Sequence, residues 1–547
     1  MAQFRKQVVY QIYPRSFCDS NGDGIGDLPG ITSKLNYLKD LGVDYLWLTP
    51  FFTSPQRDNG YDVADYCSVD PVFGTMADAE ELISEAKKRG IGLMLDMVFN
   101  HTSTAHDWFQ HALQGDPRYQ AYYIFRDGAP DQPPTNWASK FGGSAWNYVP
   151  ELKKWYLHLF DVSQADLNWK NPEVREELKN VIQFWKAKGV QGFRFDVVNL
   201  ISKPDEYLDD PRGDGRRMYT DGPRMHEYLR ELVRDTGMDD MITVGEMSST
   251  SLPSCIGYSK PENHELSMVF SFHHLKIDYK DGQKWRMQAP DLNQLRDIFN
   301  TWQEGMAAGG GWNAVFWCNH DQPRVVSRLG DDRRYWKESA KMLATCVHML
   351  RGTPYIYQGE ELGMTNAYFD RISQYRDVES INYFRILVKG GFSETEALAI
   401  LQARSRDNSR TPMQWDDTPT AGFTAGTPWI GLPANRDGVS AQAEAGDETS
   451  ILSYYKRLIR FRKEEPVISD GDVRFILPEE KGIIAYERAL GREKIVVFCN
   501  FTAESRSLPF DGGDFVMGSY ETAPQTEKDG ILLKPFEGCV FKTSCSA

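Results

Sequence analysis

Short runs of apolar residues punctuate about the first 460 positions, and helix-like stretches of mixed polarity separate them. The runs lie near Val8 to Tyr13, Tyr45 to Leu48, Gly92 to Val98, Gly192 to Asp196, Met241 to Glu246, Met268 to Phe272, Ala314 to Asn319 and Tyr355 to Gln358. Continuous apolar runs of this length read as strands buried on both faces. Eight of them alternating with helices predict an α/β fold, the (β/α)8 TIM barrel. Pro172 and Pro223 read as first-turn prolines of helices over Glu173 to Lys188 and Arg224 to Thr236.

About 90 residues separate the third and fourth runs, more than one crossover helix needs. Much of that stretch is rich in Trp, Tyr, Pro and Gly, so residues 101–171 are expected to form a subdomain inserted after the third strand, over the rim of the barrel. Beyond about Glu465 the pattern becomes alternating, as in Gly482 to Arg488 and Lys494 to Asn500, which predicts a terminal antiparallel β-sandwich over 465–547. The barrel then takes residues 1–100 and 172–464.

Composition narrows the functional classes. Of 547 residues, 41% are hydrophobic and 25% charged, enough for a large core and more than one domain. A net charge of −15 argues against a nucleic-acid surface, which needs a basic stripe. It also obliges any anionic substrate to find a local basic pocket. The amino-terminal Met-Ala-Gln-Phe-Arg-Lys-Gln leads straight into the first apolar run without the apolar core of a signal peptide. No run approaches the roughly 20 residues of a membrane helix. A cytoplasmic protein with neither membrane nor nucleic acid as partner is expected. The cysteines at 18, 67, 255, 318, 346, 499, 539 and 545 form no Cys-x-x-Cys pair and read as free thiols.

Three acids carry the candidate chemistry. Asp196 ends Gly-Phe-Arg-Phe-Asp, Glu246 ends Thr-Val-Gly-Glu, and Asp321 ends Phe-Trp-Cys-Asn-His-Asp. The C-terminal rim of the strands is where a (β/α)8 barrel keeps its reactive groups. Any one acid could merely start a loop. Arg194, however, shares a strand face with Asp196, and His320 stands beside Asp321. An idle charged pair in a barrel mouth is costly to desolvate. Three acids on one rim suggest glycosidic-bond cleavage.

Near the start, Asp19, Asn21, Asp23, the Ile25 position and Asp27 place oxygen donors at alternate residues, with Gly24 sixth, as in the first nine positions of an EF-hand loop. The twelfth position is Gly30 rather than glutamate, and no flanking helix pair is evident. The segment reads as an isolated structural loop for Ca2+, with Mg2+ as second choice. A metal-free Asp/Asn/Gly turn is the alternative.

Taken together, Asp96-Met-Val-Phe-Asn100-His101, Gly192-Phe-Arg194-Phe-Asp196, Val244-Gly-Glu246 and Asn319-His320-Asp321 resemble, in order and spacing, the four sequence regions of the α-amylase family, glycoside hydrolase family 13. The resemblance covers essentially the whole chain. It implies a retaining glycosidase without organic cofactor, in which Asp196 is the nucleophile, Glu246 the general acid/base and Asp321 a third acid that grips sugar hydroxyls. Retention needs two carboxyl groups about 5 Å apart. It further implies that Tyr61, Asp62, His101, Arg194, His320 and Arg410 line the pocket for the nonreducing glucose. From the residues alone, a core aromatic remains open for Tyr61 and a structural counter-ion for Arg410.

Within the family, Val197 after the nucleophile resembles the oligo-1,6-glucosidase group. The segments Phe141 to Trp146, Gly213 to Pro223, Glu246 to Thr250 and Phe272 to Trp285 resemble more closely the branch acting on trehalose 6-phosphate. That likeness implies a small phosphorylated disaccharide as substrate, split to glucose and glucose 6-phosphate. Neutral isomaltose-type sugars are the alternative. A phosphate needs cations, and Lys276 and Lys284 after the sixth run are the expected ligands, each charged hydrogen bond contributing roughly 1.5 to 3 kcal/mol. Lys280 and Arg216 rank behind them, and solvated surface lysines are the alternative.

Overall fold

The computed structural model describes residues 3–433 and 437–544, so Cys545 lies outside the described residues. The eight apolar runs become the parallel strands of a (β/α)8 barrel: β1 Val9–Ile12, β2 Tyr45–Leu48, β3 Gly92–Met97, β4 Gly192–Phe195, β5 Ile242–Met247, β6 Met268–Ser271, β7 Ala314–Val315 and β8 Thr353–Tyr357. The chain forms two compact units, one spanning Trp47–Phe272 and the other comprising the rest of the described residues.

In the first unit β4 pairs with β3 on one side and β5 on the other, with Arg194 opposite Asp96 and Val244. The β5–β6 register then sets Glu246 opposite Phe270. Helix Pro172–Ala187 starts where proline fixes the first turn, and the Asn171 side chain accepts from the Glu173 N–H. Its buried face includes Trp185, whose indole N–H donates to the Tyr66 carbonyl at 2.8 Å. The second proline expectation needs correcting. Helix Met225–Thr236 is preceded by Arg224, so Pro223 lies outside it, in a turn entered through Asp221 at a φ of 50°.

Between β3 and β4, strands Phe125–Asp127, Lys154–Leu157 and Trp146–Val149 make a small antiparallel sheet, and His101–Ser103 pairs with Gln164–Asp166. Trp137, Trp146, Trp155 and Leu157 share one apolar cluster with Val197, Leu200 and Tyr219. The loop that leaves β4 is therefore packed against the core of the insertion.

In the second unit β8 lies between β1 and β7, parallel to both. β7 keeps only two ladder residues, fewer than its apolar run suggested. Phe316 to His320 stay buried but leave the ladder, with the Trp317 indole tied to the Leu343 carbonyl at 2.7 Å. The C-terminal region has antiparallel strands β9 Asp472–Ile476, β10 Ile483–Leu490 and β11 Glu493–Asn500 in consecutive pairing. The terminal strand Gly538–Ser544 continues that sheet beside β11. Residues of a second, three-stranded sheet, Leu508, Ile531 and Leu533, share a core with Val496, Phe498 and Phe541. The seven described cysteines are free thiols. Among the described residues no helix is long and apolar enough to cross a membrane.

Candidate active site

One guanidinium organises the first unit's site. Arg194 is 1% exposed and donates through Nη1 to both oxygens of Asp96, at 2.7 and 2.9 Å, and to Asp196 Oδ1 at 2.8 Å. Its Nη2 binds Glu246 Oε2. The two carboxylates are thus anchored to one rigid, planar fork, which makes them close neighbours. The guanidinium also lies over the Trp47 ring, 4.9 Å from its centroid. Burial pushes the Asp96 carboxyl up, to about 7, against the opposing pull of Arg194.

Asp96 received no role in the sequence reading, yet it ties the pocket residues together. The Tyr61 hydroxyl donates to Asp96 Oδ2 at 2.9 Å, and the Trp47 indole donates to the same oxygen at 3.1 Å. Tyr61 follows Gly60, whose φ of 100° and close approach to the Pro50 carbonyl leave no room for a Cβ. Asp62 is fully buried and accepts from Ser54 Oγ and from the Asp58 and Arg57 N–H groups, each at 3.0 Å. These bonds hold its own loop. His101 lies with Nε2 3.1 Å from the Tyr61 carbonyl, and burial lowers its pKa from the usual imidazole value.

The chain leaves β4 through a constrained turn. Val197, directly after Asp196, has a φ of 35° and a ψ of 39°, a left-handed conformation that β-branched residues rarely adopt. Two residues on, buried Asn199 clamps the loop beyond Glu246: its Oδ1 accepts from the Ser248 N–H and its Nδ2 donates to the Ser248 carbonyl, both at 2.9 Å. Asp221 receives Asn199 Nδ2 at 3.0 Å and the hydroxyls of Tyr258 and Thr250 at 2.9 Å. Two of the segments singled out by sequence, Gly213 to Pro223 and Glu246 to Thr250, meet here.

In the second unit Asp321 stands between two arginines. Arg410 donates to Asp321 Oδ1 from Nη2 at 2.9 Å and to the His320 carbonyl from Nε at 2.9 Å. Arg406 reaches the same carboxylate oxygen at 3.3 Å and donates to Asp377 Oδ1 at 2.6 and 2.9 Å. Burial works against the Asp321 anion, but His320, Arg406, Arg410 and Lys284 outweigh it and hold the carboxyl well below the usual range. The side chain is 33% exposed, so solvent screens part of that field. His320 Nδ1 lies 2.7 Å from Gln11 Nε2, and its ring stacks on Tyr13 with centroids 6.2 Å apart. Arg406 and Asp377 were assigned nothing from sequence. Arg406 lies four residues before Arg410, while Asp377 caps helix Val378–Lys389, a position that carries no periodic signal.

The expected phosphate ligands divide. Lys284 is bonded to Glu379 at 2.6 Å and lies over the Trp285 ring. Lys276 and Lys280 are exposed. Arg216, also exposed, pairs with Asp214 at 3.4 Å. The metal loop is a series of tight turns. Asp19 Oδ1 accepts from the Asn21 and Gly22 N–H groups at 2.9 and 2.8 Å, and Oδ2 from the Gly24 N–H at 2.8 Å and from the Thr424 hydroxyl. Asn21 and Asp23 accept from the N–H groups two residues on, and Asp27 caps helix Leu28–Ser33. Among the described residues no three acidic, histidine or cysteine side chains converge as a metal cluster. The loop's donors are a mixed set of carboxylate, amide and carbonyl oxygens, the type that suits a hard cation.

The alpha-amylase catalytic-domain model matches residues 11–471. The chain belongs to the alpha-amylase family. It is 52% identical over 537 residues to the trehalose-6-phosphate hydrolase of Escherichia coli (strain K12), with 97% of each chain covered. Identity to the oligo-1,6-glucosidase of Parageobacillus thermoglucosidasius is 46% over 554 residues, with 98% of each covered. The crystal structure of Bacillus licheniformis trehalose-6-phosphate hydrolase aligns with a TM-score of 0.95 at 51% identity, covering 100% of both chains.

Proposed function

We propose that this glycosidase hydrolyses α,α-trehalose 6-phosphate to glucose and glucose 6-phosphate with retention at the anomeric carbon. The observation that carries the chemistry is the Arg194 fork binding both Asp196 and Glu246. Asp196 attacks the anomeric carbon from the face opposite the leaving oxygen while Glu246 gives that oxygen a proton. A covalent glucosyl–enzyme forms. Glu246, now a carboxylate, takes a proton from water, which attacks the same carbon and frees Asp196. Asp321, held by Arg406 and Arg410, is the acid assigned to sugar hydroxyls.

The substrate rests on likeness: 52% identity to a trehalose-6-phosphate hydrolase against 46% to an oligo-1,6-glucosidase, each over nearly the full chain. Lys276 and Lys284 belong to this reading as phosphate ligands. A second reading, an oligo-1,6-glucosidase of neutral isomaltose-type sugars, is favoured by one observation, the pairing of Lys284 with Glu379. A cytoplasmic location goes with the phosphorylated substrate, since a dianion does not cross a bilayer unaided. The loop from Asp19 to Asp27 would hold a structural Ca2+ or Mg2+ through Asp19, Asn21, Asp23, the Ile25 carbonyl and Asp27. Proton NMR of the first turnovers tests the reaction: glucose should appear as the α-anomer with an equal amount of glucose 6-phosphate. Initial β-glucose would overturn retention.

A further inference from the structure

Lys140 sits on the inserted segment between β3 and β4, and its ammonium donates to Ser248 Oγ at 2.7 Å. Ser248 is two residues beyond Glu246, about 7 Å further along an extended chain. It is fixed there by the two hydrogen bonds between its backbone and the Asn199 side chain. The base of Lys140 is equally fixed. Its backbone N–H donates to the Leu159 carbonyl at 2.9 Å, and Ser139 Oγ donates to the Phe160 carbonyl at 2.6 Å. The ammonium lies over the Phe160 ring, with Nζ 5.4 Å from the centroid, and His101 and Phe141 also border that ring, at 5.2 and 5.8 Å. A half-buried cation is therefore held at a defined point between the rim residue His101 and the loop that follows the proton donor.

The position decides the role. Glu246 protonates the glycosidic oxygen, so the departing sugar lies on the side of Glu246 and of the loop that continues from it. A phosphate on the primary carbon of that sugar is displaced from the glycosidic oxygen by one ring. We propose that Lys140 and Ser248 together bind this phosphate and make the enzyme selective for a phosphorylated leaving group. The division of labour follows from donor types. The ammonium has three N–H donors, and the Ser248 hydroxyl, while accepting one of them, keeps its own O–H to give. A cation and a hydroxyl on opposed, braced segments form a cradle for a tetrahedral dianion, and charged hydrogen bonds to phosphate are among the strong ones. The inference deepens the trehalose 6-phosphate reading and rests on it for the identity of the phosphorylated sugar.

The test uses the full chain and the variants Lys140→Ala, Lys140→Arg and Ser248→Ala. Two quantities are read: the ratio of kcat/KM for trehalose 6-phosphate to that for trehalose, and the Kd of glucose 6-phosphate by calorimetry. Lys140→Ala should lower the ratio by about ten- to a hundredfold and weaken glucose 6-phosphate binding by a similar factor, with Lys140→Arg restoring most of both. Ser248→Ala should lower the ratio several-fold. An unaltered ratio, or an equal loss on both substrates, overturns the inference. Should the wild-type enzyme show no preference for the phosphorylated substrate, the functional reading fails by itself. The role of Lys140 is then decided by the calorimetry, where equal affinities of wild type and Lys140→Ala for glucose 6-phosphate reject it.

Discussion

Arg194 and Asp196, two residues apart across the end of β4, are joined by a 2.8 Å bond from Nη1 to Oδ1. The same guanidinium holds Asp96 and Glu246. Replacing it leaves three carboxyl groups in a confined, largely dry space without their common counter-ion. Arg194→Leu is expected to cost about 3 kcal/mol or more of unfolding free energy and to lower kcat/KM at least about a hundredfold. Urea unfolding and steady-state kinetics check both, and near wild-type values would show that the fork is dispensable.

Asp196→Asn removes the attacking oxygen while keeping shape and size. Turnover should fall by about 10⁴-fold or more, with the unfolding midpoint little changed. Azide, added as an external nucleophile to the truncated variant Asp196→Gly, should enter the vacated space and give β-glucosyl azide from an activated α-glucoside. Persistent turnover in Asp196→Asn would remove Asp196 from its assigned role.

Much of this arrangement was legible in the chain because barrel chemistry sits at strand ends, and strand ends are marked by apolar runs. Asp196, Glu246 and Asp321 could be picked out that way. Their supports could not. Asp96 is a buried strand residue whose meaning comes from lying opposite Arg194 in the ladder. Asp377 joins Arg406 and Arg410 from a helix cap remote in sequence. Pro223 misled because a left-handed Asp221 precedes it, which no local composition signals. Lys140 gains significance only through Ser248, 108 positions away.

The cation loop predicts a ligand effect on stability. Calcium should raise the thermal midpoint and a chelator should lower it, by a few degrees at saturation. Asp23→Ala should abolish the response, since among the described residues the Asp23 carboxylate otherwise serves only the Ile25 N–H in its own turn. A midpoint indifferent to calcium, magnesium and chelator alike would leave the loop as a metal-free turn.

Buried carboxyls set a pH dependence. Burial pushes Glu360 and Glu444 each up to about 8, with nearby Glu361 adding to the effect. Their folded values exceed the unfolded ones, so their stabilising contribution is complete below about pH 4.3 and is lost as pH rises toward 8. Buried His274 and His348, lowered to about 3, act in the opposite sense, but their effect is complete above about pH 6.5. Between about pH 7 and 8 the unfolding free energy should therefore fall, on the order of 1 kcal/mol per pH unit. Glu444→Gln, which keeps the acceptor for the Leu452 N–H, should flatten the slope. A stability that rises with pH in this window contradicts the prediction.

Selectivity for a phosphorylated disaccharide is read from kcat/KM for trehalose 6-phosphate, trehalose and isomaltose at two ionic strengths. Trehalose 6-phosphate should be preferred about a hundredfold, some 2.7 kcal/mol of differential transition-state stabilisation. That preference should narrow as salt screens the phosphate. A preference for isomaltose, insensitive to salt, would contradict it and place the enzyme among the oligo-1,6-glucosidases.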